Sequence, residues 1–168
     1  GLAHLSKLKN LRTLSLRSTQ VDDEGLAVLS QSLTLETLIL EFTRVRGPGL
    51  VHLKSLPKLS VLTLNPNRNT ANKTQIDLSA LSGGFSALRA LKVGGNELTD
   101  AHLSSVSGLK NLQRLTFRTL GFTKFTDAGL APLGKLASLQ ELRINGSTQV
   151  TDAGIVHLAK LNKLEKLD

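Results

Sequence analysis

Four histidines are the side chains of this chain best suited to bind a metal ion or to move a proton: His4, His52, His102 and His157. An imidazole does either only beside further ligands or a carboxylate at a suitable spacing. His4, His52 and His157 fall in widely separated stretches, and the acidic residues near His102 are better explained as helix caps. The sequence therefore predicts no metal site, and lone histidines on helices are expected to be exposed.

Nucleophilic catalysis and cofactor binding have no better support. The chain has no Cys, which excludes thiol nucleophiles, thiolate metal ligands and disulfides. It has no G-x-S-x-G segment and no phosphate-binding glycine loop, and Gly94-Gly95 is not followed by a helix signature. We predict no catalytic residues, no cofactor and no enzymatic activity.

The elements that position the polar side chains form a repeat. Its L-x-L core begins at intervals of 24, 24, 29, 24, 27 and 25 residues, at Leu14, Leu38, Leu62, Leu91, Leu115, Leu142 and Leu167. A self-similar unit of this length is the signature of a solenoid. The sequence thus predicts stacked copies of one supersecondary unit.

Each copy combines two kinds of periodicity. The alternation Leu14-Ser15-Leu16 predicts a short, half-buried strand, whereas Leu26 and Leu29, three residues apart, predict one face of a short helix. Between strand and helix lie polar segments in which Thr or Asp can accept hydrogen bonds from free helix amides: Asp22–Gly25, Thr99–His102, Thr126–Gly129 and Thr151–Gly154. Each copy therefore reads as a strand, a capped turn and a short helix.

These features resemble the leucine-rich repeats, and the T-x-V-T-D-A-G-L variant is similar to the 24-residue repeats common in bacterial proteins. The resemblance covers essentially the whole chain. It implies an α/β fold, a leucine-rich repeat solenoid wound as a right-handed β-α superhelix, with a parallel sheet on the concave side, short helices on the convex side and partner binding on the concave face. At the ninth repeat position, Thr or Asn is expected to bond the backbone of adjacent turns: Thr19, Thr43, Asn67, Asn96, Thr123 and Thr148.

We expect residues 1–168 to form one domain of about six repeats with partial repeats at both ends, as a segment of a longer protein. Residues 2–11 match only the helix of a unit and the segment that leads from it into the next strand, and residues 164–168 match only half a strand. Uncapped solenoid ends favour end-to-end self-association. No apolar run reaches membrane-span length and no signal peptide is visible. Localisation stays unknown, although the absence of cysteine-rich caps favours a bacterial or intracellular source.

The formal net charge of +8 directs attention to the outward strand positions. Acidic residues at helix starts and lysines at helix ends suit the helix dipole: Lys7, Lys54, Lys110, Lys135 and Lys160. The strand cations Lys92, Arg114, Arg118 and Arg143 have no such role, and neighbouring strands lie roughly 4.8 Å apart, so these four should form one patch. The patch is either a site for an acidic partner or a solvated face partly neutralised by Glu141. The predicted partner-binding residues of the concave face are Arg17, Phe42, Lys92, Arg114, Arg118 and Arg143.

Two functions remain open at this point. Repeat architecture favours a protein partner on the concave face, with an acidic surface suited to the arginines. The alternative is a polyanion, nucleic acid or acidic polysaccharide, bound through the basic strand patch. Base stacking has little support, since the chain has no Trp or Tyr and only five Phe. The insertions at 65–75 and 120–125 both follow a strand, so they lie on the same edge of the solenoid. Either neutral loop drift or a recognition rim explains them.

Overall fold

Seven short strands form one sheet in the computed structural model, which describes residues 2–66, 76–95, 97–118 and 123–168. The strands are β1 Thr13–Ser15, β2 Thr37–Thr43, β3 Val61–Pro66, β4 Ala90–Gly94, β5 Arg114–Arg118, β6 Glu141–Ile144 and β7 Lys166–Leu167. Every neighbouring pair is parallel and follows sequence order. The register aligns the seven core leucines, which confirms the predicted repeat phase.

Short helices connect the strands on the opposite side of the core. The α-helices are α1 Asp23–Leu29, α2 Asp100–Val106, α3 Asp127–Leu130 and α4 Asp152–Ile155. The 3₁₀ segments are Leu2–Lys7, Pro48–Ser55, Ser79–Ser82, Ala131–Lys135 and Val156–Lys160. A repeat of about 24 residues must also contain a strand and two turns, so only one or two helical turns fit.

The core is a stack of apolar side chains that repeats from turn to turn. In the inward strand column Leu16, Leu40, Leu64, Val93 and Phe117 are all buried, as predicted. Ile144 was expected to join them but is only partly buried. Each of the buried side chains from Leu40 to Phe117 lies beside its counterpart in the neighbouring strand, so the apolar core depends on the stacking of turns.

The Thr-Asp-Ala-Gly segments connect consecutive turns as well as capping helices. Capping is confirmed at Asp22, which accepts from the Gly25 amide at 3.1 Å, and at Thr151, which accepts from the Ala153 amide at 3.2 Å. The Asp that follows the cap has a different role. The Asp100 carboxylate accepts from the Thr126 amide at 2.8 Å and from the Thr126 hydroxyl at 2.6 Å.

The same contact recurs along the solenoid. Asp127 accepts from the amide and the hydroxyl of Thr151, both at 2.7 Å, and the Thr151 amide and hydroxyl lower the pKa of the Asp127 carboxyl. Asp23 accepts three backbone amides of the following turn, from Arg46, Gly47 and Gly49. We call these contacts the aspartate ladder. It joins neighbouring turns on the side of the helix starts.

The ladder requires a glycine at positions 129 and 154. A Cβ on Gly129 would lie 2.1 Å from Asp100 Oδ1, and one on Gly154 would lie 2.3 Å from Asp127 Oδ1. Both distances are far below any real carbon–oxygen contact. A larger residue would push the carboxylate away from the Thr that it binds.

The polar side chains at the ninth repeat position only partly follow the expectation that they bond the backbone of adjacent turns. Thr19 and Thr43 donate to carbonyls of their own turn, Leu16 and Leu40, at 2.7 and 2.9 Å. Only Thr123 reaches the next turn, at the Gly146 carbonyl. Thr148 is exposed, because the one-residue insertion moves Ser147 into the equivalent contact with the Ile144 carbonyl. Asn67 and Asn96 lie outside the described residues.

Replacing Leu40 by Ala tests the stacked core. Leu40 is 1% exposed, so the change should lower the free energy of unfolding by about 2–5 kcal/mol, through lost burial and the cavity left behind. Leu33→Ala is the control because Leu33 is 56% exposed. Urea denaturation followed by circular dichroism measures both, and equal small effects would contradict a core built of stacked leucines.

Replacing Asp100 by Ala tests the ladder. It leaves the Thr126 amide and hydroxyl without their acceptor and should cost about 1–3 kcal/mol of stability. Glu24→Ala is the control, because it removes an exposed carboxylate from the first turn of α1 that forms no hydrogen bond or ion pair with a described residue. The ladder has no energetic role if the two variants unfold at the same urea concentration.

Candidate functional site

The outward side chains of the strands form the concave face, arranged in three columns across the sheet. The first column contains Thr13, Thr37, Val61, Ala90, Arg114 and Glu141. The second contains Ser15, Ile39, Thr63, Lys92, Thr116 and Arg143. The third contains Arg17, Glu41, Asn65, Gly94, Arg118 and Asn145, where Arg17 and Asn145 follow directly on β1 and β6. All six predicted partner-binding residues lie on this face or, for Phe42, at its end.

Glu41 organises the half of the face formed by β1 to β4. Its Oε2 lies 3.3 Å from Arg17 Nη1, and its Oε1 accepts from Lys92 Nζ at 2.8 Å. The residue is only 7% exposed, although its strand position predicts an outward, solvated carboxylate. Sequence reasoning missed this role. One signal was available: Glu41 follows Arg17 by 24 residues, one repeat, so the register places them side by side.

Phe42 adds an aromatic ring to the same cluster. Its backbone has a φ of 58°, an unusual left-handed conformation for a bulky residue, at the irregularity where β2 shifts register against β3. The Arg17 guanidinium carbon lies 5.2 Å from the Phe42 ring centroid, within cation–π range. We call Arg17, Glu41, Phe42 and Lys92 the Glu41 cluster. Its one carboxylate is shared by two cations, so part of the positive charge of Arg17 and Lys92 is neutralised within the cluster.

The patch of four strand cations requires a correction. We expected Lys92, Arg114, Arg118 and Arg143 to lack structural partners, but Lys92 binds Glu41, and Arg143 Nε donates to Glu141. Glu141 also lies beside Arg114 in the strand register. The carboxylates of Glu41 and Glu141 therefore reduce the positive charge of the patch.

Arg114 and Arg118 are the strand cations that retain free guanidinium groups. Both are exposed, and neither has a carboxylate of the described residues within salt-bridge distance. They lie at the two ends of β5, four residues and roughly 13 Å apart. Arg118 neighbours Gly94, whose missing side chain is replaced by that of Asn65 folded over it. Two exposed arginines thus lie at the ends of one strand beside a low region of the sheet.

A small apolar floor lies next to Arg114. Val61 and Ala90 are direct neighbours in the first column, and Ala90 is paired with Arg114. Ile39 lies diagonally beside Val61, and all three are half-buried with one side open to solvent. The concave face therefore combines a low apolar centre with two free arginines on β5.

The two predicted insertions, at 65–75 and 120–125, lie largely outside the residues that the structure describes. Residues 67–75 and 119–122 are outside the described residues, so their roles as loops or as a recognition rim stay predictions. On the described side of the second insertion, Phe125 is fully buried and packs edge-on against Phe117 with ring centroids 5.5 Å apart. Phe125 thus belongs to the core.

His102 is buried, which corrects the expectation that the histidines are surface residues. It is 6% exposed, whereas His4, His52 and His157 are exposed as predicted. Its Nδ1 lies 3.0 Å from both the amide nitrogen and the hydroxyl of Thr99, and its Nε2 donates to the Ile76 carbonyl at 3.0 Å. The amide of Thr99 needs an unprotonated Nδ1, so the ring is neutral and its proton is on Nε2.

The repeat explains why a histidine stands there. At this position other copies have the glycine of the aspartate ladder, but the preceding turn has Ile76 where the ladder needs an Asp. The His102 ring accepts the Thr99 amide in place of that missing carboxylate. It borders a cleft of about 290 Å³ that Asp77 and Ser105 also line. Burial lowers the pKa of His102, with the Ile76 carbonyl partly offsetting the effect.

No other described residues suggest metal or membrane chemistry. Within 2–66, 76–95, 97–118 and 123–168, no three His, Asp or Glu side chains are grouped so that they could hold a metal ion. Among the helices of these residues, none has the length and apolar character needed to cross a membrane.

Known proteins share the repeat and the fold. A family model for the leucine-rich repeat matches residues 7–30. An internalin (inlF) from Listeria monocytogenes superposes with a TM-score of 0.63 at 21% sequence identity, covering 100% of this chain and 57% of that chain. The chain therefore spans little more than half the length of this internalin. The likeness shows a common architecture of stacked parallel strands and short helices.

Two further solved structures are similar over most of the chain. Internalin C2 from the same organism matches with a TM-score of 0.46 at 21% identity, covering 99% of this chain and 91% of that one. The Arabidopsis receptor kinase HAESA, in complex with the peptide hormone IDA and the co-receptor SERK1, gives 0.48 at 18% identity, covering 83% and 22%. No curated protein matches the chain by sequence.

The neutral His102 ring predicts a pH-dependent stability. Its pKa is lower in the folded chain than the value of 6.5 that applies after unfolding, so the folded state binds fewer protons. The contribution of the neutral His102 ring to folding stability is complete above about pH 6.5. It decreases as the pH falls toward the pKa of His102 in the folded chain. Urea midpoints at pH 7.5 and 5.5 measure this decrease.

His102→Gln supplies the matched test, because Gln can take the same capping place without titrating. The decrease in stability between pH 7.5 and 5.5 that His102 causes should disappear in this variant. It should persist in His52→Gln, where the replaced ring is exposed. An unchanged pH dependence in His102→Gln would mean that another group takes up the proton.

Proposed function

Because the chain is a leucine-rich repeat solenoid, we propose that it is a non-catalytic scaffold that binds a protein partner on its concave face. The observation that carries the proposal is the pair of exposed, unpaired arginines on β5, of which Arg114 lies beside an apolar floor. Arg114 and Arg118 supply charged donors, and Ile39, Val61 and Ala90 supply surface that a partner can dehydrate. Protein interfaces commonly combine these two elements.

The two arginines are suited to an acidic partner. A guanidinium binds a carboxylate through two parallel hydrogen bonds, and an exposed guanidinium without an internal partner need not break an existing ion pair to do so. Arg17, Lys92 and Arg143 differ in this respect, because each is already held by Glu41 or Glu141. We therefore assign direct partner contact to Arg114 and Arg118, and a supporting role to the other three.

Phe42 extends the proposed surface toward β1. Its ring is half-buried and fixed in place by Arg17. A rigid aromatic side chain loses little conformational entropy when a partner packs on it. The Glu41 cluster would then offer an apolar ring and a fixed ion pair, while β5 offers the free charge.

A polyanion on this face is the weaker alternative. Glu41 and Glu141 lie among the strand cations, and each would repel phosphate, sulfate or carboxylate groups laid along the sheet. A protein partner can instead place one or two acidic side chains at Arg114 and Arg118 alone. The distribution of charge on the concave face therefore favours discrete contacts over a continuous anionic chain.

The double variant Arg114→Gln/Arg118→Gln tests this proposal. Capture from a lysate of the source cells, with cross-linking and mass spectrometry, would identify proteins held by the unmodified chain, and titration calorimetry would measure the purified partner. Loss of two central arginine contacts should weaken binding at least about tenfold. The melting temperature should stay nearly unchanged, because exposed charges contribute little to stability.

Arg44→Gln/Lys124→Gln is the matched control, because it removes two exposed cations at the opposite edge of the turns. The control should bind the partner as the unmodified chain does. Equal weakening in both doubles would show that net charge, not the concave site, governs binding. A partner that binds the β5 variant normally would place the interface elsewhere.

A further inference from the structure

The positive charge of the chain is concentrated along one edge of the solenoid. We define the strand-start edge as the turns that lead from each helix into the next strand, residues 7–12, 30–36, 54–60, 82–89, 107–113, 134–140 and 159–165. These segments contain ten Lys or Arg and two Glu, an excess of eight that equals the formal net charge of +8. The ten cations are Lys7, Lys9, Arg12, Lys54, Lys58, Arg89, Lys110, Lys135, Lys160 and Lys163.

Most of these cations have no structural role in the fold. The eight lysines are exposed, and none forms a salt bridge with a carboxylate of the described residues. Arg12 is the exception, paired with Glu36 at 2.7 Å. The helices beside them have one or two turns, and several are 3₁₀ segments, so the helix dipole explains less of this charge than the sequence suggested.

The cations are also arranged in a line. Successive turns stack roughly 4.8 Å apart at the strands, so the six steps from Lys7 to Lys160 extend over about 29 Å. Lys7, Lys135 and Lys160 occupy one repeat position, which Gly84 and Gly108 fill in the middle turns. The line of side chains is therefore lower at its centre.

This low centre is a shallow cleft of about 270 Å³, lined by Gly84, Phe85, Ser86, Gly108, Lys110 and Asn111. The Lys54 stem lies across Gly84, its Cδ 2.9 Å from where a Cβ would stand. Asn111 donates one amide hydrogen to the Ser86 carbonyl at 2.9 Å, which leaves its other hydrogen and its oxygen for a ligand. Lys110 thus lines the cleft together with neutral polar groups, and Lys54 lies beside it at Gly84.

We propose that the strand-start edge binds an acidic polysaccharide, whose chain runs along the solenoid and crosses this cleft. Lysines bind sulfate or carboxylate groups as point charges, and the amide and hydroxyl groups between them suit sugar hydroxyls. Nucleic acid fits less well: the chain has no Trp or Tyr, and Phe85, the aromatic residue of this edge, is 7% exposed, so no ring is offered for stacking. The proposal uses a different surface from the concave site and does not depend on it.

Heparin, a sulfated and carboxylated polysaccharide, is the probe. Binding of a labelled heparin oligosaccharide to the full chain is measured by fluorescence anisotropy at several salt concentrations. Lys54→Gln/Lys110→Gln removes about two ionic contacts, so it should weaken binding on the order of tenfold at 0.1 M salt and make the salt dependence shallower. Arg44→Gln/Lys124→Gln carries the same change of charge at the other edge and should stay within about twofold.

A second variant tests the cleft without removing any lysine. Ser86→Glu places a carboxylate at the cleft and should weaken heparin binding, whereas Ser104→Glu, on an exposed helix position, should not. Thermal melts of all variants verify that each is folded. The concave variant Arg114→Gln/Arg118→Gln should bind heparin as the unmodified chain does, which separates this proposal from the proposed protein scaffold.

Three results would overturn the proposal. Equal weakening by both double variants would show non-specific attraction to net charge. Tighter binding of a duplex DNA of matched length, with heparin displaced by it, would assign the edge to nucleic acid. Absence of measurable heparin binding at 0.15 M salt would remove the edge as a polyanion site.

Discussion

The stacking of each turn directly on the next, roughly 4.8 Å apart at the strands, is the constraint on which the rest of this structure depends. No turn has a core of its own, so each must present to its neighbour the same apolar column and the same polar groups. The aspartate ladder satisfies the polar half of the same requirement, because Asp100 and Asp127 accept the amides that begin the following turns.

The turn around residues 76–82 shows how the constraint is met when the sequence departs from the pattern. Ile76 stands where the ladder needs an Asp, so the following turn would have an unbonded amide at Thr99. His102 supplies the acceptor from within that turn, and its other nitrogen returns a hydrogen bond to the Ile76 carbonyl. A side chain that looks like a candidate for chemistry is thus used to close a gap between two turns.

The sequence predicted the fold well because the fold depends on period alone. The leucine spacing specified the order of the strands, their parallel direction and their register, and the capped segments located the helix starts. Long side chains were harder to predict because they cross between turns. Lys92 reaches Glu41 two strands away, past β3, and no spacing in the sequence indicates how far a lysine will bend. His102 was misjudged for a related reason, since its burial depends on what the preceding turn lacks.

The sequence also predicted the two candidate surfaces only in part. Strand positions identified the concave residues, but only the structure separates Arg114 and Arg118 from cations already bound by carboxylates. The charge of the strand-start edge is visible in the sequence, yet long helices would have accounted for it as dipole compensation. The short helices of the structure remove most of that explanation.

The aspartate ladder also gives each turn two unlike faces. One face carries the carboxylate, and the other carries the threonine amide and hydroxyl together with a glycine that leaves room for it, as in the pairing of Asp127 with Thr151 and Gly154. Two identical faces could not join, so turns can be added only head to tail. A solenoid of this kind can lengthen by duplication of whole turns, because every duplicate brings a matching acceptor and donor with it. Extra residues can be accommodated only between these joints, which remain the fixed points of the architecture.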